Sequence, residues 1–95
     1  MDKVLGMIGL AVRAGKMISG EENIINAVRS GKAHMVLLAS DASGNTKKMY
    51  SDKCRYYTVR IFEYGTKEVL NHAALACCDK NFSDAIEKLL IGGGK

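Results

Sequence analysis

Hydrophobic positions recur along this chain with two different periods, and the switches between them divide it into elements. Val4, Leu5, Ile8 and Val12 fall at helical spacing, so a helix is predicted over residues 2–14, ended by Gly15. Lys16 to Ser19 is a short extended piece. The stretch SGEENIINAVRSG, Ser19 to Gly31, carries the start, the stop and both faces of a helix over 20–30. Ser19 followed by Glu22 fits a capping box, in which each residue satisfies the other's backbone N–H; such a cap stabilises by about 1 kcal/mol. Gly31 supplies a left-handed stop. Ile24, Ile25 and Val28 share one side, and Glu22, Asn23, Asn26 and Arg29 share the other. Gly20 reads as replaceable where only stability matters, and as a point of close backbone approach where a partner docks.

The run MVLLA, Met35 to Ala39, is continuously apolar and reads as a central strand covered on both faces. Ser40 to Asn45 is a turn-rich loop leaving its C-terminal end. A short basic helix is predicted over Thr46 to Lys53. Tyr56 to Ile61 alternates as a second strand, with Tyr57, Val59 and Ile61 on one face. Thr66 caps a helix through Ala73, with Val69 and Leu70 inward. Leu75 to Cys78 is a short buried strand, Phe82 to Ile91 a last helix burying Phe82, Ile86, Leu89 and Leu90, and Gly92 to Lys95 a frayed tail. Strands alternating with helices predict an α/β fold, a three-layer α/β/α sandwich around a small, mixed, roughly four-stranded sheet in one domain.

Charge changes this picture more than composition does. Residues 1–60 hold ten Lys/Arg against five Asp/Glu, and residues 61–95 hold four against five. One electropositive side follows, and such a side favours a polyanion, most often nucleic acid. No apolar run is long enough to span a bilayer. The N-terminus is a poor signal peptide, because Asp2 precedes the apolar run and Arg13 and Lys16 end it. The expected location is therefore the cytoplasm. The three cysteines form no CxxC pair, and neighbours on a strand such as Cys77 and Cys78 point to opposite faces, so reduced thiols and no metal site are expected.

Catalytic patterns fail in turn. His34 and His72 stand away from the polar cluster, so no Ser-His-Asp or Cys-His arrangement arises. Gly9 and Gly15 before Lys16 mimic a phosphate loop with one residue too many, and Met17 stands where magnesium would need Ser or Thr. Glu21 and Glu22 are adjacent on a helix and diverge by about 100°, so they cannot work as a facing acid/base pair. No catalytic residue, cofactor, metal or small-molecule substrate is expected. If the strands run parallel, Gly20, Glu21, Glu22, Asn23 and Asn26 lie near Asp41, Ser43, Asn45 and Lys47 at the strands' C-terminal ends. Free helix N–H groups beside amide side chains suit nucleic acid. The pattern alone also fits a solvated helix face, the commoner case.

The combination GLAVRAGK, a Gly-led helix, an apolar strand, then ASDAS and NTKK resembles the ribosomal protein family called L-seven-Ae, in its bacterial, YlxQ-like branch. It is densest over Gly9–Lys48 and fades after Ile61. The resemblance implies an α/β/α sandwich that binds RNA, usually at kink-turns. The family's recognition segment reads Gly-Thr-Asn-Glu, then Lys three residues after the Glu. Here the Gly is Gly20, the Asn–Glu pair is reversed as Glu22–Asn23, and the Lys position holds Asn26. An acceptor and an amide remain for guanine edges, one phosphate-binding cation is missing, and Arg29 replaces it in part. The expectation is a monomeric, non-enzymatic protein of structured RNA, ribosomal or otherwise. Gly20, Glu21, Glu22, Asn23 and Asn26 meet the RNA with Asp41, Ser43 and Asn45, while Arg13, Lys16, Arg29, Lys32, Lys47 and Lys48 neutralise phosphate. The second reading is a protein-interaction module of the translation machinery, which salt should weaken far less.

Overall fold

The computed structural model describes residues 2–92. Five helices and four strands follow one another as α1 (Lys3–Arg13), β1 (Met17–Ile18), α2 (Glu21–Arg29), β2 (Met35–Leu38), α3 (Gly44–Tyr57), β3 (Arg60–Glu63), α4 (Lys67–Leu70), β4 (Ala74–Cys77) and α5 (Lys80–Gly92). The sheet order is β1-β4-β2-β3. β4 runs antiparallel to both neighbours and β2 runs parallel to β3, so β1, β2 and β3 all point the same way. Met17 and Met35 pair with Cys77 from its two sides, and Ile18 and Val36 pair with Ala76. The edge where β1, β2 and β3 end is called the upper rim below, and the edge where they begin the lower rim.

Strand alternation sorts the core into two layers. Met35, Leu37, Leu75 and Cys77 face α1, α4 and α5 through Val4, Ile8, Leu70 and Ile86. Val36, Leu38, Ala74 and Ala76 face α2 and α3 through Ile24, Ala27, Val28, Tyr50 and Cys54. Both faces of β2 and β4 are therefore buried, which is why MVLLA and ALAC lack polar alternation. The three-layer α/β/α sandwich with a mixed four-stranded sheet is as the sequence predicts. Cys77 and Cys78 do lie on opposite layers, and Cys54, Cys77 and Cys78 are all free thiols.

Several boundaries differ, each for a local reason. α3 starts two residues early because the Ser43 hydroxyl accepts from the Thr46 N–H, and it ends four residues late, at Tyr57. Tyr50, Cys54 and Tyr57 recur at helical spacing against the sheet and carry the helix through the segment that reads as strand; Thr58, at φ 58°, stops it. β3 accordingly begins at Arg60 rather than Tyr56. Thr66 caps α4 as expected, but Asn71, at φ 63°, ends it after one turn, well short of Ala73. β4 ends at Cys77 and leaves Cys78 half-buried. Val12 and Val69, expected inside, are 51% and 48% exposed; Ala11 takes the buried position on α1. Leu5, Phe82, Leu89 and Leu90 are only half-buried. Gly92 is the last helical residue of α5 rather than the start of a tail, and the rest of that expected tail, 93–95, lies outside the described residues.

Candidate nucleic-acid interface

The start of α2 departs from the capping box expected of Ser19 and Glu22. Gly20 is the N-cap, at φ 91° and ψ 130°, and no side chain bonds the first turn. Pairing of Ile18 with Ala76 fixes the chain direction just before Ser19, and Gly20 makes the turn that side-chain-bearing residues rarely adopt. Gly20 is therefore not freely replaceable. A Cβ at this position would also stand 3.4 Å from the Asn23 amide nitrogen. That nitrogen donates to the Ser19 carbonyl at 3.2 Å, which holds the Asn23 side chain across the turn.

The other helices contrast with this one. Asp2 accepts from the Val4 and Leu5 N–H groups, Ser43 from Thr46, Thr66 from Val69 and Asp79 from Phe82. Among the described residues, α2 is the helix without a side-chain cap. The Glu21, Glu22 and Asn23 N–H groups find no acceptor among the described residues and point out of the upper rim. Glu21 and Glu22 are exposed at this turn, where their negative charge complements the helix dipole. Glu21 also reaches toward α3: burial, and then this carboxylate, push the Tyr50 hydroxyl above its ordinary value.

Because β1 and β2 are parallel, α2 and α3 both start at the upper rim, as the expected juxtaposition requires. The remaining residues expected there are partly engaged elsewhere. The Asp41 carboxylate accepts from the Lys67 N–H at 2.8 Å and so ties the β2–α3 loop to the start of α4. Ser43 is the α3 cap. Asn45 is exposed in the first turn of α3. Lys47 lies 3.3 Å from Glu63, and Lys48 lies 3.2 Å from Asp52. The α1 end of this rim is pinned by a hydrogen bond from the Tyr64 hydroxyl to Asp2. It holds the Asp2 carboxyl below the usual range and pushes Tyr64 up to about 12.

Asn26 sits one turn after Asn23, and both line a shallow groove with Ile18, Ala27, Ser30 and Lys32. The groove runs along the free edge of β1 toward the lower rim. Ser30 is a polar contributor that sequence reasoning missed; its spacing of seven from Asn23 was the available signal. Arg13, Lys16, Arg29 and Lys32 do not join the cluster at Gly20. Arg13 and Arg29 close the last turns of α1 and α2, Lys16 immediately precedes β1, and Lys32 approaches β2, all at the lower rim. The Cys78 N–H donates to the Lys16 carbonyl and the His34 N–H to the Cys77 carbonyl, which draws those turns together.

No group of three or more His, Cys, Asp or Glu side chains is assembled to hold a metal among the described residues. Nor is any described helix long and apolar enough to cross a membrane. Residues 2–86 match the family described as the ribosomal protein L7Ae/L30e/S12e/Gadd45 family. The chain belongs to that family. Members of this L7Ae family are non-enzymatic RNA-binding proteins.

Two bacterial relatives are named RNA-binding protein YlxQ. The Enterococcus faecium protein is 54% identical over 61 residues, a match that spans 64% of this chain and 59% of the relative, less than two thirds of its length. The Bacillus subtilis protein is 37% identical over 91 residues, covering 88% of this chain and 91% of the relative. Among solved structures, a Bacillus halodurans protein of unknown function superposes with a TM-score of 0.92 at 32% identity, covering 96% of this chain and 99% of that one. The Giardia lamblia 15.5kD RNA binding protein superposes with a TM-score of 0.75 at 16% identity, covering 94% and 82%, a likeness of fold.

Proposed function

We propose that this L7Ae-family protein binds structured RNA, without catalysis, by presenting the open N-terminus of α2 to a folded motif of the kink-turn kind. The single observation that carries the reading is the first turn of α2. It has three N–H groups without acceptors among the described residues, a glycine N-cap that keeps the approach clear, and an Asn23 amide already held in place. The other described helices close their own N-termini with side chains. An uncapped one offers N–H donors, and with the Glu21 and Glu22 carboxylates on the same turn these suit uncharged base and sugar acceptors rather than phosphate. Asn23 uses its N–H₂ group internally and keeps its oxygen free; Asn26 has both. Each suits a base edge or sugar hydroxyl. Lys47 and Lys48, on the upper half of α3, stand where phosphate can exchange with Glu63 and Asp52 as their partner. Exposed ion pairs of this kind are worth about 0–1 kcal/mol, so exchange costs little.

The cytoplasm and the ribosomal RNA pool fit this reading, as does the family. The test is fluorescence anisotropy of a labelled kink-turn hairpin against a fully paired duplex of equal length, each over a salt series. Preference for the kink-turn, with affinity falling steeply as salt rises, supports the proposal. Equal and salt-insensitive binding of both, or none, favours the protein-interaction alternative.

A further inference from the structure

The cations at the β1 side of the lower rim meet no carboxylate of the protein among the described residues. Arg13, Lys16, Arg29 and Lys32 are all exposed, and among the described residues none forms an ion pair. Lys47, Lys48, Arg55, Arg60 and Lys80 each meet a carboxylate within 3.3 Å, and the other described cations without an ion pair, Lys3, Lys53, Lys67 and Lys88, lie one each on α1, α3, α4 and α5 rather than together. The absence of partners is built into the sequence. No acid occurs from Lys3 to Gly20, nor from Asn23 to Ser40, which are the segments that build this corner. The neighbouring acid, Asp79, is committed to the start of α5, where it accepts from the Phe82 N–H at 3.0 Å.

The corner is also joined to the α2 N-terminus. The groove along β1 begins at Asn23, passes Asn26 and Ser30, and ends at Lys32. From Asn23 to Ser30 it follows seven residues of helical rise, about 10 Å at 1.5 Å per residue.

We propose that Arg13, Lys16, Arg29 and Lys32 form a second RNA-contact surface. It grips the phosphates of a helical arm that continues past the motif docked at α2, with the Asn23–Asn26–Ser30 groove as the track between the two. The inference rests on the RNA reading of the upper rim and adds to it a requirement on RNA length. A helix-dipole role accounts for Arg13 and Arg29, which close helix C-termini. It does not account for Lys16 and Lys32, which belong to no helix.

The experiment uses two RNAs: a kink-turn hairpin with both arms trimmed to the minimum that closes, and the same hairpin with one arm extended by a full helical turn. For the parent protein, extension should strengthen binding by tenfold or more and steepen the salt dependence. R29Q with K32Q, and separately R13Q with K16Q, should return the extended RNA toward the affinity of the trimmed one. The salt slope should become shallower by about 0.9 for every phosphate that is no longer neutralised. Neither double variant should alter binding of the trimmed RNA. N23A should weaken both RNAs by the same factor. Equal parent affinity for the two RNAs overturns the inference and leaves the upper-rim reading standing. So do double variants that lower only the melting temperature, the signature of a dipole role. A parent that binds neither RNA refutes the upper-rim reading, and this one with it.

Discussion

At the upper rim Lys47 lies 3.3 Å from Glu63 and Lys48 lies 3.2 Å from Asp52, whereas at the lower rim Arg13, Lys16, Arg29 and Lys32 meet no carboxylate among the described residues. The upper rim gathers the N-termini of α1, α2, α3 and α4, and three of these four are closed by Asp2, Ser43 and Thr66. Directional hydrogen-bond donors therefore remain at α2, beside the exposed carboxylates of Glu21 and Glu22. The lower rim offers the reverse, a cluster of unpaired cations on long, exposed side chains. Directional groups discriminate between RNA shapes, and unpaired cations contribute sequence-independent affinity. The two ends of one nine-residue helix thus separate recognition from attraction.

The largest effect should come from Gly20→Val. A β-branched residue at φ 91° stores roughly 1–3 kcal/mol of strain and crowds the Asn23 amide. Melting should drop by about 4–8 °C for each kcal/mol, and kink-turn affinity should fall well over tenfold, as read by calorimetry and anisotropy on the same samples. Unchanged melting would mean that the turn before α2 does not need glycine. Asn23→Ala separates recognition from folding. As an exposed change it should leave stability within about 0.5 kcal/mol, yet reduce RNA affinity roughly tenfold, since it removes a positioned amide. Loss of stability without loss of affinity would reduce Asn23 to a clip on Ser19.

Asn26→Lys should sharpen the comparison by carrying unpaired charge toward the upper rim. Affinity should rise and the salt slope should steepen by about 0.9 if one more phosphate is engaged. If neither moves, Asn26 does not face the RNA backbone. The smallest effect concerns pH. Tyr64 holds Asp2 below the usual carboxylate range, so their bond contributes stability that is present above the ordinary Asp pKa of 3.8 and is lost as pH falls through the depressed folded value. Tyr64→Phe should raise the Asp2 pKa in an NMR titration and shrink that acid-range loss, with RNA binding at neutral pH unchanged. An Asp2 pKa that does not move would show that the caps on Val4 and Leu5 alone set it.

The fold was legible where local pattern and tertiary demand agree. MVLLA is apolar throughout because both faces of β2 are covered, and Ile24 and Val28 mark the inner face of α2 whatever lies beyond it. The Thr66 cap was readable for the same reason. YYTVRI misled because aromatic and β-branched residues favour strands in general, while Tyr57 here extends the helical spacing set by Tyr50 and Cys54. Ser19 and Glu22 satisfy the capping-box spacing, but β1–β4 pairing fixes the backbone just ahead of them and hands the turn to Gly20. The basic residues were identifiable as a set, but their placement was not. Arg29 is close to Gly20 in sequence and at the opposite rim in space, because α2 is rigid and runs from one rim to the other.

RNA that meets the open N-terminus of α2 must perturb its N–H groups, and amide chemical shifts report on those groups directly. Titrating ¹⁵N-labelled protein with the extended kink-turn RNA should move the Gly20, Glu21, Glu22 and Asn23 amides most, with smaller shifts at Lys16, Arg29 and Lys32. Shifts confined to α5, with Gly20–Asn23 unmoved at saturation, would contradict it.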